Sequence, residues 1–239
     1  MREESRDDLL DPSGLGRVLL LSPHDDDGVV GCGGLIAVLP EPPMVVITSD
    51  GRLGYHSLAE REGFVEQRER EALAAYGSVG VPPEKIVFLR YPDMSVRNYQ
   101  NWVTPDGQPG AYQTMFRILR SHRPDTMLVP SDLDFHPDHK VIAEVGLVAA
   151  VQARESLMPE MGPPVPVVRL YAYQVWEPIA EVTHRFVLEA GLATRKRKAI
   201  DAFASQLDAF ARMHELGTLR YDEERFVLVR AFPAEPLRG

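Results

Sequence analysis

Two short runs hold most of the side chains in this sequence that could do chemistry together. Pro23-His24-Asp25-Asp26-Asp27 lies near the start, and His136-Pro137-Asp138-His139 lies past the middle. Both follow short apolar runs, the first directly and the second after a few residues. Two imidazoles and one carboxylate suffice for a catalytic zinc, which keeps three protein ligands and an open position for water. His24, Asp27 and His139 make such a set. A metal there would bring the pKa of a bound water down to about 7. Asp26, beside Asp27, is then placed to take the water's proton. His136, kept charged by pairing with Asp138, is placed to stabilise the oxyanion of an attacked carbonyl, a contact worth about 3–4 kcal/mol. The combination points to a metal-dependent hydrolase. Each run also reads as a helix start, because Asp caps free N–H groups and suits the helix dipole and Pro137 suits a first turn. The bland and the chemical readings are compatible, and the chemical one rests on the two runs occurring together.

The elements that must position these residues alternate along the chain. Val18–Ser22, Met44–Thr48, Lys85–Leu89 and Thr126–Val129 read as short apolar strands. Gly28–Leu39, Leu58–Tyr76, Tyr112–Ser121 and Pro137–Arg154 read as the helices between and after them. Apolar strands separated by helices predict a mostly parallel, doubly wound, Rossmann-like sheet with helices on both faces. Counted from Val18, the expected strand order is 3-2-1-4-5. Strands one and four then flank the point where strand order reverses, and ligands bind beyond the carboxyl ends of strands at such a point. The proline-rich stretch Pro159–Pro166 reads as a surface connection. Leu170–Trp176, Arg185–Leu188 and Arg225–Val229 read as further strands, and Thr194–His214 as one helix with Ile200, Phe203, Leu207 and Phe210 at helical spacing. We expect a single domain over 1–239, with a core of about 15–155 and a C-terminal α/β cap of about 167–232.

Composition sets the frame. The 239 residues are 44% hydrophobic and 26% charged, as in a globular protein. A net charge of −9 argues against a nucleic-acid or anionic-membrane partner. The single cysteine, Cys32, excludes an intrachain disulfide and reads as a small buried hydrophobe. The polar start, Met1–Pro12, has no signal-peptide core, and no apolar stretch is long enough to span a bilayer, so a cytoplasmic enzyme is expected.

Pro-His-x-Asp-Asp followed at a distance by His-Pro-Asp-His resembles the LmbE-like, or PIG-L, zinc-dependent N-acetylglucosaminyl deacetylases. The resemblance implies one zinc, or another divalent metal, on His24, Asp27 and His139. It implies Asp26 as general base, His136 as the group that stabilises the intermediate, and Asp138 as the acid beside it. It extends to Thr48-Ser-Asp-Gly51, to Arg68, Glu71 and Gly80, to Asp93, and to Tyr173-Gln-Val-Trp176, Lys198 to Gln206 and Glu224-Arg-Phe226. It implies that Arg68 and Asp93 bind the substrate, an amino sugar, and it permits a homo-oligomer.

The sequence also departs from the family. Asp25 stands where Pro is common, Gly28 where Glu usually follows the Asp pair, and Asp134 where some members have Tyr. Residues 52–64 and 94–110 match nothing placed in the family, and loops carry specificity. Tyr99 and Trp102 in the second loop read equally as sugar-stacking rings or as a packed lid. The alternatives are an amidohydrolase for a non-sugar N-acyl substrate, a non-haem iron enzyme built on the same ligand types, and a non-catalytic sugar-binding module. The spacing of Gly28, Gly31, Gly33 and Gly34 is not that of a dinucleotide fingerprint.

Overall fold

The run Val18–Leu21 is apolar without a break, which suits a strand covered on both faces. The computed structural model, which describes residues 8–233 except Val168, places it so. The strands are β1 (Asp8–Leu9), β2 (Val18–Ser22), β3 (Met44–Ser49), β4 (Ile86–Tyr91), β5 (Thr126–Pro130), β6 (Arg169–Tyr173), β7 (His184–Val187) and β8 (Glu223–Ala231). They form one sheet among the described residues, in the order β1-β7-β8-β6-β5-β2-β3-β4. Strands β4, β3, β2, β5 and β6 run parallel, while β8 is antiparallel to both β6 and β7. The helices are α1 (Asp27–Ile36), α2 (Phe64–Ser78), α3 (Ala111–His122), α4 (Pro137–Ala153), α5 (Ala190–Asp201) and α6 (Leu207–Glu215).

The pleat divides the core in two. Leu20 points to one face, where Val29 and Cys32 of α1, Tyr76 of α2, Ile200 of α5 and Phe210 of α6 cover it. Leu19 and Leu21 point to the other, where Phe116 and Leu119 of α3 and Val141, Ile142 and Val145 of α4 pack. Neighbours β3 and β5 lie on opposite sides of β2, so the chain reverses its direction of winding there. The ends of β2 and β5 therefore border a crevice of the kind that binds ligands in open α/β sheets.

Three elements differ from the sequence reading. The helix expected from Leu58 starts at Phe64. Residues 55–63 have no apolar stripe to bury, Leu58 is 83% exposed, and Gly63 turns the chain in the left-handed region at φ 74°. The helix expected over Thr194–His214 is two helices, because the chain turns at Phe203 (ψ 65°) and a short 3-10 turn follows. There the Glu71 carboxylate accepts the Ser205 N–H and hydroxyl, which draws the turn onto α2. The C-terminal region adds β6, β8 and β7 to the same sheet, and β1, unforeseen, pairs with β7 at its edge.

Candidate metal centre

The two runs occupy corresponding turns. The first joins β2 to α1, and the second starts α4 after β5, with His136 at the N-cap and Pro137 in the first turn. Both helix N-termini meet at one crevice, and their dipoles favour carboxylates there. Gly28 lets α1 approach closely, since a Cβ there would lie 2.4 Å from the Tyr76 hydroxyl and 2.8 Å from Leu20. This accounts for the departure at position 28.

Three donor atoms converge. Asp27 Oδ2 lies 3.1 Å from His24 Nδ1 and 3.0 Å from His139 Nε2, and the two nitrogens are 3.3 Å apart. A tetrahedral ion about 2.1 Å from each donor needs them about 3.4 Å apart, so the set fits a metal with little movement. All three residues are buried. Behind each imidazole stands a carboxylate. His24 Nε2 is 3.1 Å from Asp93 Oδ1, and His139 Nδ1 is 3.2 Å from Asp134 Oδ2. The second contact is an ion-pair distance whose angle falls short of a well-formed hydrogen bond. Protons on these outer nitrogens leave the inner lone pairs free for a metal. His136 offers a further nitrogen to the same imidazole cluster, within 4.8 Å of the other two donors.

With protons in place of a metal, the cluster is a network of opposite charges. Burial alone would lower the His139 pKa, but the Asp27 charge and the contacts to Asp134 and Asp27 hold it up at about 9. Burial likewise works against the charged form of His24, and Asp27 and Asp93 outweigh it to raise its pKa. Burial would raise Asp27, yet His139 and His24 keep its carboxyl well below the usual range. Such a set releases protons when a metal binds.

The remaining residues of the runs separate by position. Asp26 precedes α1, but its side chain caps no helical N–H and is 14% exposed, open to the crevice. Burial lifts its carboxyl, the Arg68 guanidinium pulls it back, and Asp25 and Asp27 push it up again, to about 7. His136 is half-buried, and its Nδ1 accepts the Asp138 N–H at 3.3 Å, which leaves the ring proton on Nε2. The expected pairing of His136 with the Asp138 carboxylate is not made. That carboxylate instead accepts the N–H groups of Met94 (2.8 Å) and Val96 (3.2 Å), and its Oδ2 stands 3.9 Å from His24 Nε2. Burial, with His24 and His139 beside it, pushes the His136 pKa down to about 4, the opposite direction from the charged imidazole read from the sequence.

Arg68 and Asp93, read from the resemblance as substrate contacts, are both buried. Arg68 Nε donates to Asp25 Oδ2 at 3.0 Å, its Nη2 bonds Asp25 Oδ1, and the same Nη2 stands 3.3 Å from Asp26 Oδ2. Gly51, at φ 60°, and Gly54 let the following loop close over the guanidinium, which a Cβ at either would crowd. Asp25, at the family's Pro position, thus satisfies Arg68 internally. Asp93 holds His24 and accepts the Leu53 N–H at 3.2 Å; His24 and the hydrogen bonds outweigh its burial and bring its pKa down to about 2. Asp134 is the site residue that the sequence reading missed. In the loop 94–110, Tyr99 stacks on Tyr91 and Trp102 meets buried Phe116 edge-on, the geometry of packed rings.

A doubly wound α/β sheet with a histidine–carboxylate metal-type site at its switch point defines the class. The family described as PIG-L, GlcNAc-PI de-N-acetylase, matches residues 19–150, more than half of the chain, and the chain belongs to it. The chain is 28% identical over 148 residues to a 2'-N-acetylparomamine deacetylase of Streptomyces fradiae, covering 53% of this chain and 50% of that protein. It spans about half the length of the curated relatives it matches. Among solved structures, an N,N'-diacetylchitobiose deacetylase from Pyrococcus horikoshii superposes with a TM-score of 0.70 at 22% identity, over 98% of this chain and 90% of that one. A 4-carboxy-2-hydroxymuconate hydratase from Pseudomonas putida KT2440 superposes with a TM-score of 0.69 at 20% identity, over 91% and 98%. At these identities the likeness is one of fold.

Proposed function

We propose that this chain is a metal-dependent deacetylase that removes the N-acetyl group of an N-acetylglucosamine-type amino sugar or its conjugate, with zinc as the metal and Asp26 as general base. The observation that carries the reading is a buried three-atom donor set with a further carboxylate, Asp26, beside it, outside that set and partly exposed. The family match and the named activities of the relatives support an N-acetylated amino sugar as the substrate. Because the fold also serves a hydratase, the reaction is argued from the site and the family, not from the architecture.

His24, Asp27 and His139 would hold the metal, which supplies Lewis acidity and a lowered pKa for water. Asp26 takes a proton from the attacking water as its oxygen bonds the amide carbon. A pKa of about 7 suits that task near neutral pH. The proton on His136 Nε2 is available to the oxyanion that forms, and a neutral donor is enough for such a contact. Asp26 then returns its proton to the nitrogen as the C–N bond breaks, giving acetate and a free amine. Arg68 and Asp25 hold Asp26 in place.

A panel of N-acetylated amino sugars, assayed for equimolar acetate and amine, tests the proposal. Turnover should vanish with chelator and return with zinc. Cleavage of non-sugar N-acyl amides with none of the sugars touched would replace this reading with that of a general amidohydrolase.

A further inference from the structure

The floor of the crevice is polar, for His24, Asp25, Asp27, Asp93, Asp138 and His139 are all buried around it. Its rim is not. Leu53 is 53% exposed, Met94 52%, Leu133 62% and Phe135 59%. These residues stand on the loops that follow β3, β4 and β5, at the carboxyl edge of the sheet where the site lies. Isolated exposed hydrophobics are ordinary, but these are tied to the reaction site. The Leu53 N–H donates to Asp93 (3.2 Å), the carboxylate behind His24, and the Met94 N–H donates to Asp138 (2.8 Å). The Trp176 N–H donates to Asp134 (2.9 Å), the carboxylate behind His139. Phe135 directly precedes His136, and its ring centroid lies 5.8 Å from that of half-buried Trp176. Met94 is held at φ 60° with its side chain in water, a backbone state uncommon for a residue with a Cβ.

From this we infer that the substrate carries an apolar aglycone, and that the rim of Leu53, Met94, Leu133, Phe135 and Trp176 binds it. The inference rests on the deacetylase reading and narrows its substrate to alkyl or aryl glycosides of N-acetylated amino sugars. The acetyl group enters the polar floor, where a long acyl chain would displace water from charged groups without gaining apolar contact. The apolar area of the rim is left for the far end of the sugar, and burying it strengthens binding in proportion to the area covered.

The test compares kcat/KM of the zinc-loaded chain on N,N'-diacetylchitobiose, on the octyl and phenyl β-glycosides of N-acetylglucosamine, and on N-octanoylglucosamine. The two apolar glycosides should exceed the chitobiose by about tenfold or more, mainly through KM. Phe135→Ser and Leu53→Ser should each cut that ratio by about threefold or more. Leu157→Ser, exposed beyond the far end of α4, should leave it unchanged. A ratio near one, a ratio unmoved by the rim variants, or a preference for N-octanoylglucosamine overturns the inference. So does a rim that only joins two copies, seen as a dimer that Phe135→Ser dissociates without changing the ratio. Calorimetry of the octyl glycoside on zinc-loaded Asp26→Asn reads the rim without turnover. Binding about tenfold tighter than that of chitobiose, and weakened by Phe135→Ser, supports the rim; its absence overturns the rim. Failure to cleave any N-acetyl sugar overturns the deacetylase reading, and the binding arm still decides the rim.

Discussion

Asp26 and Asp27 are sequence neighbours to which the proposed function gives different tasks, and their surroundings separate them. Asp27 has two imidazoles on one oxygen, which hold it ionised as a metal ligand would need to be, while burial and the neighbouring acids lift Asp26 to about 7, a value suited to accepting and returning a proton. Asp26→Asn is expected to lower kcat by about 10²–10⁴-fold, with bound zinc by elemental analysis unchanged. A parallel loss of metal would show that Asp26 is a ligand. On the proposed function the carboxylates behind the imidazoles would act through them: Asp93→Asn and Asp134→Asn should each weaken zinc binding by about 10–100-fold, measured by chelator competition. Equal affinity to that of the native chain would remove their orienting role. The two runs that meet at the crevice were legible in the sequence because each is local. What stayed hidden are contacts between distant loops, such as Asp93 with His24 and Arg68 with Asp25, 69 and 43 positions apart. No spacing encodes them, so Asp93 and Arg68 read as substrate contacts and Asp138 as the partner of His136. Asp134 showed only as an acid where some relatives have Tyr.

At the scale of elements, strands β2, β3 and β5 were readable because their apolar runs are unbroken, as burial on both faces demands. Helix ends were less so. Leu58 and the charged residues after it have helical propensity but no face to bury, and helices in proteins draw most of their stability from packing. The break after Asp201 hid for the opposite reason: Phe203 and Phe210 keep helical spacing, while the chain turns between them so that Ser205 can meet Glu71. Packing of α1 on α2 makes its own prediction. The Cβ of Gly28→Ala would fall 2.4 Å from the Tyr76 hydroxyl and 2.8 Å from Leu20, both fully buried neighbours. Overpacking of this kind costs about 1–3 kcal/mol, and a chain of this length loses about 2–4 °C in Tm per kcal/mol. Thermal denaturation should show that fall, and pairing with Tyr76→Phe should recover part of it. An unchanged Tm would mean that α1 can lift away from α2 freely.

For the whole molecule, the buried imidazole–carboxylate cluster ties stability to pH. In the metal-free protein the His139 pKa is held at about 9, above the ordinary imidazole value of about 6.5. A raised imidazole contributes stability fully below the unfolded value and loses it as pH climbs through the folded one. His24, also raised, acts in the same sense. His136 works in the opposite direction, since its pKa of about 4 costs stability only as pH falls below about 6.5. Above about 6.5 the first two set the sign. The metal-free protein should therefore lose Tm steadily from about pH 6.5 to about pH 9. A zinc ion on His24 and His139, as proposed, would need both imidazoles neutral, so its binding at neutral pH should release protons and grow tighter as pH rises to about 9. Denaturation in chelator and in excess zinc, run across that window, should give a falling curve and one that does not fall with it, with the gap widening toward pH 9. Bound ligand adds stability in proportion to RT ln(1 + [L]/Kd), so the widening measures the displaced protons directly. A chelator curve that stays flat or rises would mean that the imidazoles of His24 and His139 are already neutral without metal, and that the carboxylates around them serve only to aim their rings.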